Sequence, residues 1–211
     1  MNATHDTAGD GPLEDSLRSA ADPTPAAWQQ IRIALVARAD ADGLLDVAVE
    51  RHDTPLGRVL LGATAEGLVR VGLPTEDEDA VLEELARRVS VRVLLGPRTT
   101  LTGARRQLDQ YFEGERHAFD LPLDWRLTAG FRRSVLRATA QIPYGRTAFY
   151  REVATRAGSP AAVRAAGTAL ATNPLPIFVP CHRVLRSGGA LGSYRGGTAA
   201  KAQLLRLEGA V

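Results

Sequence analysis

The chain has 211 residues, 45% hydrophobic and 24% charged, a globular composition that excludes a disordered or fibrous chain. Its net charge of +2 hides a division: residues 1–125 carry 13 basic and 22 acidic residues, whereas residues 126–211 carry 13 basic residues against two acids, Glu152 and Glu208. No run approaches the roughly 18 apolar residues of a membrane span, and the single cysteine excludes an internal disulfide and a multi-cysteine zinc site.

In chain order, residues 1–27 hold Pro12, Pro23 and Pro25 among Ala, Asp and Thr and read as a flexible acidic tail. They lack a basic then apolar leader, which with the lone cysteine points to a reducing, cytoplasmic setting. Trp28, Ile31 and Leu35 recur at helical spacing and predict a short helix packed on the domain. From Asp46 the period falls to two. Val47 and Val49, then Arg58–Leu61 and Gly67–Val71, predict an antiparallel meander, with turns at Asp53–Gly57 and Ala63–Gly67. Helices are predicted near Glu76–Val89 and Thr102–Phe112, the second with Leu108, Tyr111 and Phe112 as a core stripe. Leu121–Asp124 reads as a linker.

The basic part opens with Phe131, Val135 and Ala138 on one helix face, ended by Ile142-Pro143-Tyr144-Gly145. A helix over Ala148–Ala157 stops at Gly158, and Ser159-Pro160 supply the N-cap and first turn of another that runs to about Thr172. Two helices joined within about two residues form a helix-turn-helix signature. The second contains seven Ala or Gly residues and one long side chain, Arg164. So thin a helix suits close approach to a groove, and the excess positive charge suits a phosphate backbone. The competing readings are a tightly packed core helix and a solvated arginine-rich surface.

Pro174, Pro176 and Pro180 stiffen the approach to Cys181, with Ile177–Val179 as a short buried strand. A free thiol has a pKa near 8.5. Arg183 and Arg186 could lower it electrostatically, and an imidazole could take its proton. In an extended segment His182 points away from Cys181, so a water relay is expected, with a carboxylate to hold the ring. Glu208, at the end of an amphipathic helix over Thr198–Glu208, is the better candidate; a surface charge is the alternative. The four histidines show no ligand spacing, and neither metal nor cofactor is expected. The loop over Gly192–Gly197 lets backbone approach a flat ligand, with Tyr194 as one wall.

The ordered set Ile142-Pro143-Tyr144-Gly145, Tyr150, Gly158-Ser159-Pro160, Arg164-Ala165-Ala166-Gly167, Asn173-Pro174, Pro180-Cys181-His182-Arg183-Val184, Gly192 to Gly197, Leu204-Leu205 and Glu208-Gly209 resembles the O6-alkylguanine-DNA alkyltransferases. The resemblance runs from about Asp46 to Gly209. It implies an α+β chain: an N-terminal antiparallel-sheet α/β domain of ribonuclease-H-like fold (residues 28–124), then an α-helical winged helix-turn-helix domain (residues 125–211). It implies direct DNA repair in which Cys181 takes the alkyl group from guanine O6, with alkylated thymine O4 as a further candidate donor, once per molecule.

By the same resemblance His182 and Glu208 generate the thiolate, Tyr150 donates a proton toward the leaving guanine, and Asn173 is a hinge beside the site. Arg164 enters the base stack, with Ala165, Gly167, Thr147, Tyr150 and Arg151 against DNA. Pro176, Val184, Ser193, Tyr194 and Arg195 form the pocket for the extruded base. Arg132, Arg133, Arg151 and Arg156 are candidate phosphate contacts. Phe149, Ala166 and Arg195 depart from residues common in the family, and they bear on pocket size. The implied partner is double-stranded DNA containing alkylated guanine, bound by a monomer without membrane association. A helix-turn-helix protein that binds DNA without transfer, and a cysteine hydrolase of small esters, are the competing functions.

Overall fold

A computed structural model describes residues 24–211. It opens with helix α1 (Pro25–Ala41), where Thr24 Oγ1 accepts from Ala27 N at 3.2 Å and Pro25 begins the helix. The expected tail therefore ends sooner than residue 27, and residues 1–23 lie outside the described residues. The predicted docking face of this helix is also incorrect. Trp28, Ile31 and Leu35 are exposed, while Val36 and Ala39 are buried. The helix meets the rest of the protein through its last turns, so periodicity found a face but not the one that packs.

Strands β1 (Val47–Thr54), β2 (Gly57–Thr64) and β3 (Gly67–Gly72) form the expected meander. Helix α2 (Glu78–Arg88) is capped by Asp77, whose Oδ1 accepts from Ala80 N at 2.9 Å, with Glu78 and Asp79 in its first turn and Arg87 and Arg88 in its last. The next strand, β4 (Val93–Leu95), was not expected; it pairs parallel with β1 and makes the sheet mixed, in the order β3-β2-β1-β4. Three residues are too few for an alternation to register. Helix α3 (Thr99–Phe112) packs Leu101, Ala104, Leu108 and Tyr111 inward.

The linker is not free chain. Leu68 N donates to Pro122 O at 2.9 Å and Asp124 N to Leu68 O at 2.8 Å, so it covers part of the β3 edge. Val71 N on the same edge donates to Pro174 O at 2.8 Å. The N-terminal sheet thus grips the segment that leads to the cysteine.

Helix α4 (Gly130–Ala140) buries Val135 and Leu136. Strand β5 (Ala148–Phe149) precedes helix α5 (Tyr150–Arg156), which Gly158 terminates at φ +86°. Helix α6 (Val163–Ala171) begins later than expected: Ser159–Ala162 forms a turn, and Ala162 rather than Ser159 occupies the cap. Ala166, Ala169 and Leu170 face the core, and Arg164, Ala165, Thr168 and Ala171 face outward. One face of the thin helix is packed core, and the other, with Arg164, is open to solvent.

Ile177–Val179 is not a strand. The segment is a tight turn with an isolated bridge between Pro176 and Val179, and Ile177 has φ +74°. Prolines at 174, 176 and 180 lack the N–H groups a ladder requires. Cys181–Arg183 is a single 3₁₀ turn rather than extended chain, followed by β6 (Val184–Leu185), which pairs parallel with β5, and helix α7 (Gly197–Leu207). One buried cluster runs from Leu61, Val71 and Leu108 through Leu136 and Val153 to Val179 and Leu204, so the sheet layer and the helical part share a core. No described helix is long and apolar enough to cross a membrane.

Candidate active site

Cys181 is buried, 4% exposed, where the tight turn feeds the 3₁₀ turn. Asn173, fully buried, braces the approach: its Nδ2 donates to Val179 O at 2.9 Å and to Cys181 Sγ at 3.2 Å, and its Oδ1 accepts from Leu175 N at 3.0 Å. Asn173 thus holds the sulfur directly, a closer role than a hinge. The strained Ile177 backbone is held within the same braced turn.

Burial pushes the thiol's pKa up, against the Asn173 amide and the charges of Lys201 and Arg195. The expectation that Arg183 and Arg186 set the thiol is corrected. Arg183 is committed elsewhere, and Arg186 is exposed on the rim of a cleft. At rest the sulfur is a protonated thiol, because desolvating a thiolate outweighs what those donors return.

His182 is wholly buried, and its Nε2 lies 2.9 Å from Glu208 Oε1. A buried carboxylate at Nε2 places the proton of the neutral ring there and leaves Nδ1 as the basic atom. Nδ1 has no hydrogen-bond partner among the described residues. Burial lowers the His182 pKa, with Glu208 opposing. The ring makes no hydrogen bond to the thiol, and the segment that carries both is a 3₁₀ turn rather than the extended chain expected from the sequence.

Glu208 resolves to a buried hub rather than a surface charge. Oε1 accepts from Tyr111 Oη at 2.6 Å, His182 Nε2 at 2.9 Å and Arg183 Nη2 at 2.8 Å, and Oε2 accepts from Arg183 Nε at 2.8 Å. Burial alone would raise its pKa, but these donors bring it down to about 2. Arg183 Nη1 also donates to Ile142 O, 2.5 Å away, at the end of α4.

Sequence reasoning missed Tyr111 and Lys201, and gave Arg183 to the thiol rather than to Glu208. Tyr111 lies 97 residues from its partner and was read as core. Lys201 left a signal: it is the only lysine beside 25 arginines, three and four residues before Leu204 and Leu205 on the apolar face of α7. It is fully buried, donates to Val184 O at 2.5 Å and has its pKa lowered by burial to about 8.

Beside this centre opens a cleft of about 1130 Å³, lined among others by Tyr150, Arg151, Arg164, Gly167, Arg186 and Ser193. Tyr150 starts α5 and is half-buried, and burial raises its pKa, so its phenol is a donor. Its hydroxyl rests on Gly192, where any Cβ would come within 2.3 Å of Oη. Thr147 and Ala165 are exposed but outside the lining, and Pro176, Val184 and Tyr194 are buried and likewise outside it. Tyr194 meets the His182 ring edge-on at 6.2 Å.

Arg195 does not fill the pocket. Its Nη1 reaches Glu76 Oε2 at 2.9 Å, and its carbonyl accepts from Thr75 Oγ1 at 3.0 Å, which ties the glycine-rich loop to the sheet layer. Two proposed phosphate contacts are also reassigned. Arg132 Nη2 donates to Thr172 O, and Arg133 donates to Thr128 O and Trp125 O, so both satisfy internal carbonyls. Arg151 and Arg156 remain exposed. Among the described residues no three His, Cys, Asp or Glu side chains could hold a metal ion.

Residues 49–125 match the family model of the 6-O-methylguanine DNA methyltransferase ribonuclease-like domain, and residues 130–210 that of the DNA binding domain. The constitutive methylated-DNA–protein-cysteine methyltransferase of Bacillus subtilis is 40% identical over 157 residues, 74% of this chain and 92% of that protein. A methylated-DNA–protein-cysteine methyltransferase of Methanosarcina acetivorans is 38% identical over 164 residues, 74% of this chain and 95% of its own. A crystal structure of the Mycobacterium tuberculosis OGT in complex with DNA is similar with a TM-score of 0.66 at 34% identity, over 77% of this chain and 92% of the other.

Proposed function

Since the chain belongs to the 6-O-methylguanine DNA methyltransferase family, we propose that Cys181 is the alkyl acceptor and that the cleft beside it receives the damaged base. The protein repairs alkylated DNA by direct reversal, moving the alkyl group to a cysteine. Cys181 is the only cysteine in the sequence. The observation that carries the reading is this one sulfur, braced by Asn173, beside the buried His182–Glu208 pair and next to a cleft rimmed by Arg151, Arg164 and Arg186.

Thiol and imidazole both rest neutral, since burial raises one pKa and lowers the other. Transfer therefore begins when the thiol proton passes through water to His182 Nδ1, and Glu208 stabilises the imidazolium. The sulfur lone pair forms the S–C bond as the C–O6 bond breaks. The bonding pair stays on the guanine, which takes a proton from Tyr150 as its charge grows; the tyrosinate recovers a proton through solvent from the imidazolium. The sum is one proton moved from thiol to base and one thioether. With no second thiol to resolve it, the product is final and each molecule acts once.

The alkylated guanine leaves the duplex to reach the cleft, at an unstacking and unpairing cost of a few kcal/mol. Arg164, on the exposed face of α6, fills the vacated stack, and Ala165 and Gly167 let the helix approach closely. Thr147, Arg151 and Arg156 lie against the strand. Pro176, Val184, Ser193, Tyr194 and Arg195 shape the pocket through backbone and loop position. The division at residues 124–125, supported by the family-model boundaries, and binding of double-stranded DNA, supported by the basic C-terminal part, belong to the same reading, and action as a monomer in a cytoplasmic setting completes it.

Intact-protein mass spectrometry after exposure to an O6-methylguanine duplex tests it. One methyl group per molecule, on Cys181, is expected; an unchanged mass, or regeneration with turnover, removes the reading. A second result separates extrusion from chemistry. Arg164→Ala slows repair of duplex by about tenfold or more, the equivalent of about 1.4 kcal/mol, and leaves reaction with free O6-benzylguanine near the parent rate. Equal slowing of both reactions would show that Arg164 does not act in the stack.

A further inference from the structure

We propose that Tyr111, on the N-terminal helix α3, is a positioning residue of the transfer reaction: its hydroxyl orients Glu208 and through it the His182 ring. The proposal rests on the family reading above. Its basis is the convergence of three donors on one oxygen. Tyr111 Oη donates to Glu208 Oε1 at 2.6 Å, the atom that also receives His182 Nε2 and Arg183 Nη2. Arg183 alone holds Oε2.

The ring and the hydroxyl of Tyr111 have separable tasks. The ring packs edge-on to Phe112 and Tyr144, with centroids at 5.3 and 6.1 Å, and tilted on Phe119 at 5.3 Å. None of these contacts uses the oxygen. The hydroxyl points instead at the carboxylate that sets the tautomer of His182. Burial and the Glu208 charge raise the pKa of this phenol, so it stays a donor throughout the working range.

Glu208 is the cap residue of α7, one step beyond its last turn. Tyr144 Oη secures the neighbouring Leu207 O at 2.9 Å, and Tyr111 secures the side chain. The groups that face the His182–Glu208 pair are Tyr111 from α3, Tyr144 from the chain after α4, Cys181 and Arg183 from the 3₁₀ turn, Tyr194 from the glycine-rich loop and Lys201 from α7. Tyr111 alone comes from the sheet layer, so the helical part does not contain the whole reactive centre.

The sign of the effect follows. Removing a donor from Oε1 leaves the carboxylate more basic, which stabilises the imidazolium and raises the pKa of His182. Neutral His182 must accept the thiol proton, so the acid limb of the rate profile moves to higher pH. For Tyr111→Phe, measured with free O6-benzylguanine to exclude DNA binding, we expect that limb about half a unit higher and the plateau several-fold lower. Phe119→Leu loosens the same aromatic cluster without touching the carboxylate and should lower the melting temperature while leaving the limb in place. An unmoved limb and plateau in Tyr111→Phe, or an equal movement in Phe119→Leu, overturns the proposal.

A measurement on the unaltered protein covers the case in which Tyr111→Phe does not fold. The Tyr111 hydroxyl proton should give a downfield NMR resonance that moves in step with the ¹⁵N titration of His182. A resonance absent or invariant through that titration also overturns it. Failure of the unaltered protein to accept any alkyl group would instead remove the family reading, so the two failures are distinct.

Discussion

Cys181→Ala binds methylated duplex as tightly as the parent protein and gains no mass from it, with transfer reduced by at least about 10³-fold. The reason is the supply of nucleophiles. The sequence offers one thiol. The one lysine, Lys201, donates to Val184 O inside the core, and Ser193 lies in the cleft lining without a side-chain hydrogen bond to any base among the described residues. The substitution is gentle on the fold. It removes a single buried sulfur, worth about 1 kcal/mol on the scale of small core truncations. Asn173 Nδ2 keeps its bond to Val179 O and is not orphaned. Mass spectrometry and a binding titration on one preparation read both halves of the result. Added methyl on the variant would mean a second acceptor, and lost binding would mean that the cysteine serves the fold rather than the chemistry.

Glu208→Gln damages stability and transfer together. Glutamine fills the same volume but leaves Arg183 buried without a counter-charge, and breaking a buried pair in this way costs about 3–5 kcal/mol. It also leaves the His182 tautomer without its carboxylate, which should slow transfer by about 10²-fold. The linkage with pH has a definite sign. The folded-state pKa of Glu208, about 2, lies below the ordinary value of 4.5, so its stabilisation is fully present above about pH 4.5 and is lost as pH falls toward 2. The size of that loss is about 3 kcal/mol, at 1.36 kcal/mol per pKa unit. Denaturant unfolding at several acidic pH values should show the parent losing this increment relative to Glu208→Gln. Parallel stability curves for the two proteins between pH 5 and 2 would refute the hub, whatever the kinetics.

Local punctuation carried far in this chain. The meander was visible because alternation and Gly-containing turns act within a few residues, and α5 ended at Gly158 because only glycine suits the left-handed stop there. Where several prolines interrupted an apolar run, the same reasoning failed. Ile177–Val179 looked like a strand by composition, yet without N–H donors at 174, 176 and 180 it closed into a braced turn. Strand β4 was too short to announce itself. At α1 the period was correct and the phase was not, since which face packs depends on a surface distant in sequence.

Residue order alone disclosed the solitary cysteine beside a histidine, the collapse of acidic residues after Asp124, the paired helices with Arg164, and Glu208 as a candidate partner for the imidazole, with a surface charge still open. These are composition and near-neighbour facts, and they carry the chemistry. Folding decided which atoms meet. Tyr111 reaches Glu208 across 97 positions, Arg183 turns away from the thiol toward Ile142 and Glu208, and Arg195 turns from the pocket toward Glu76. It decided the resting charges as well: burial keeps the thiol protonated and the imidazole neutral, while four donated hydrogen bonds keep Glu208 ionised. Desolvation depends on what surrounds a group in three dimensions and grows as water is removed, so no spacing along the chain encodes it.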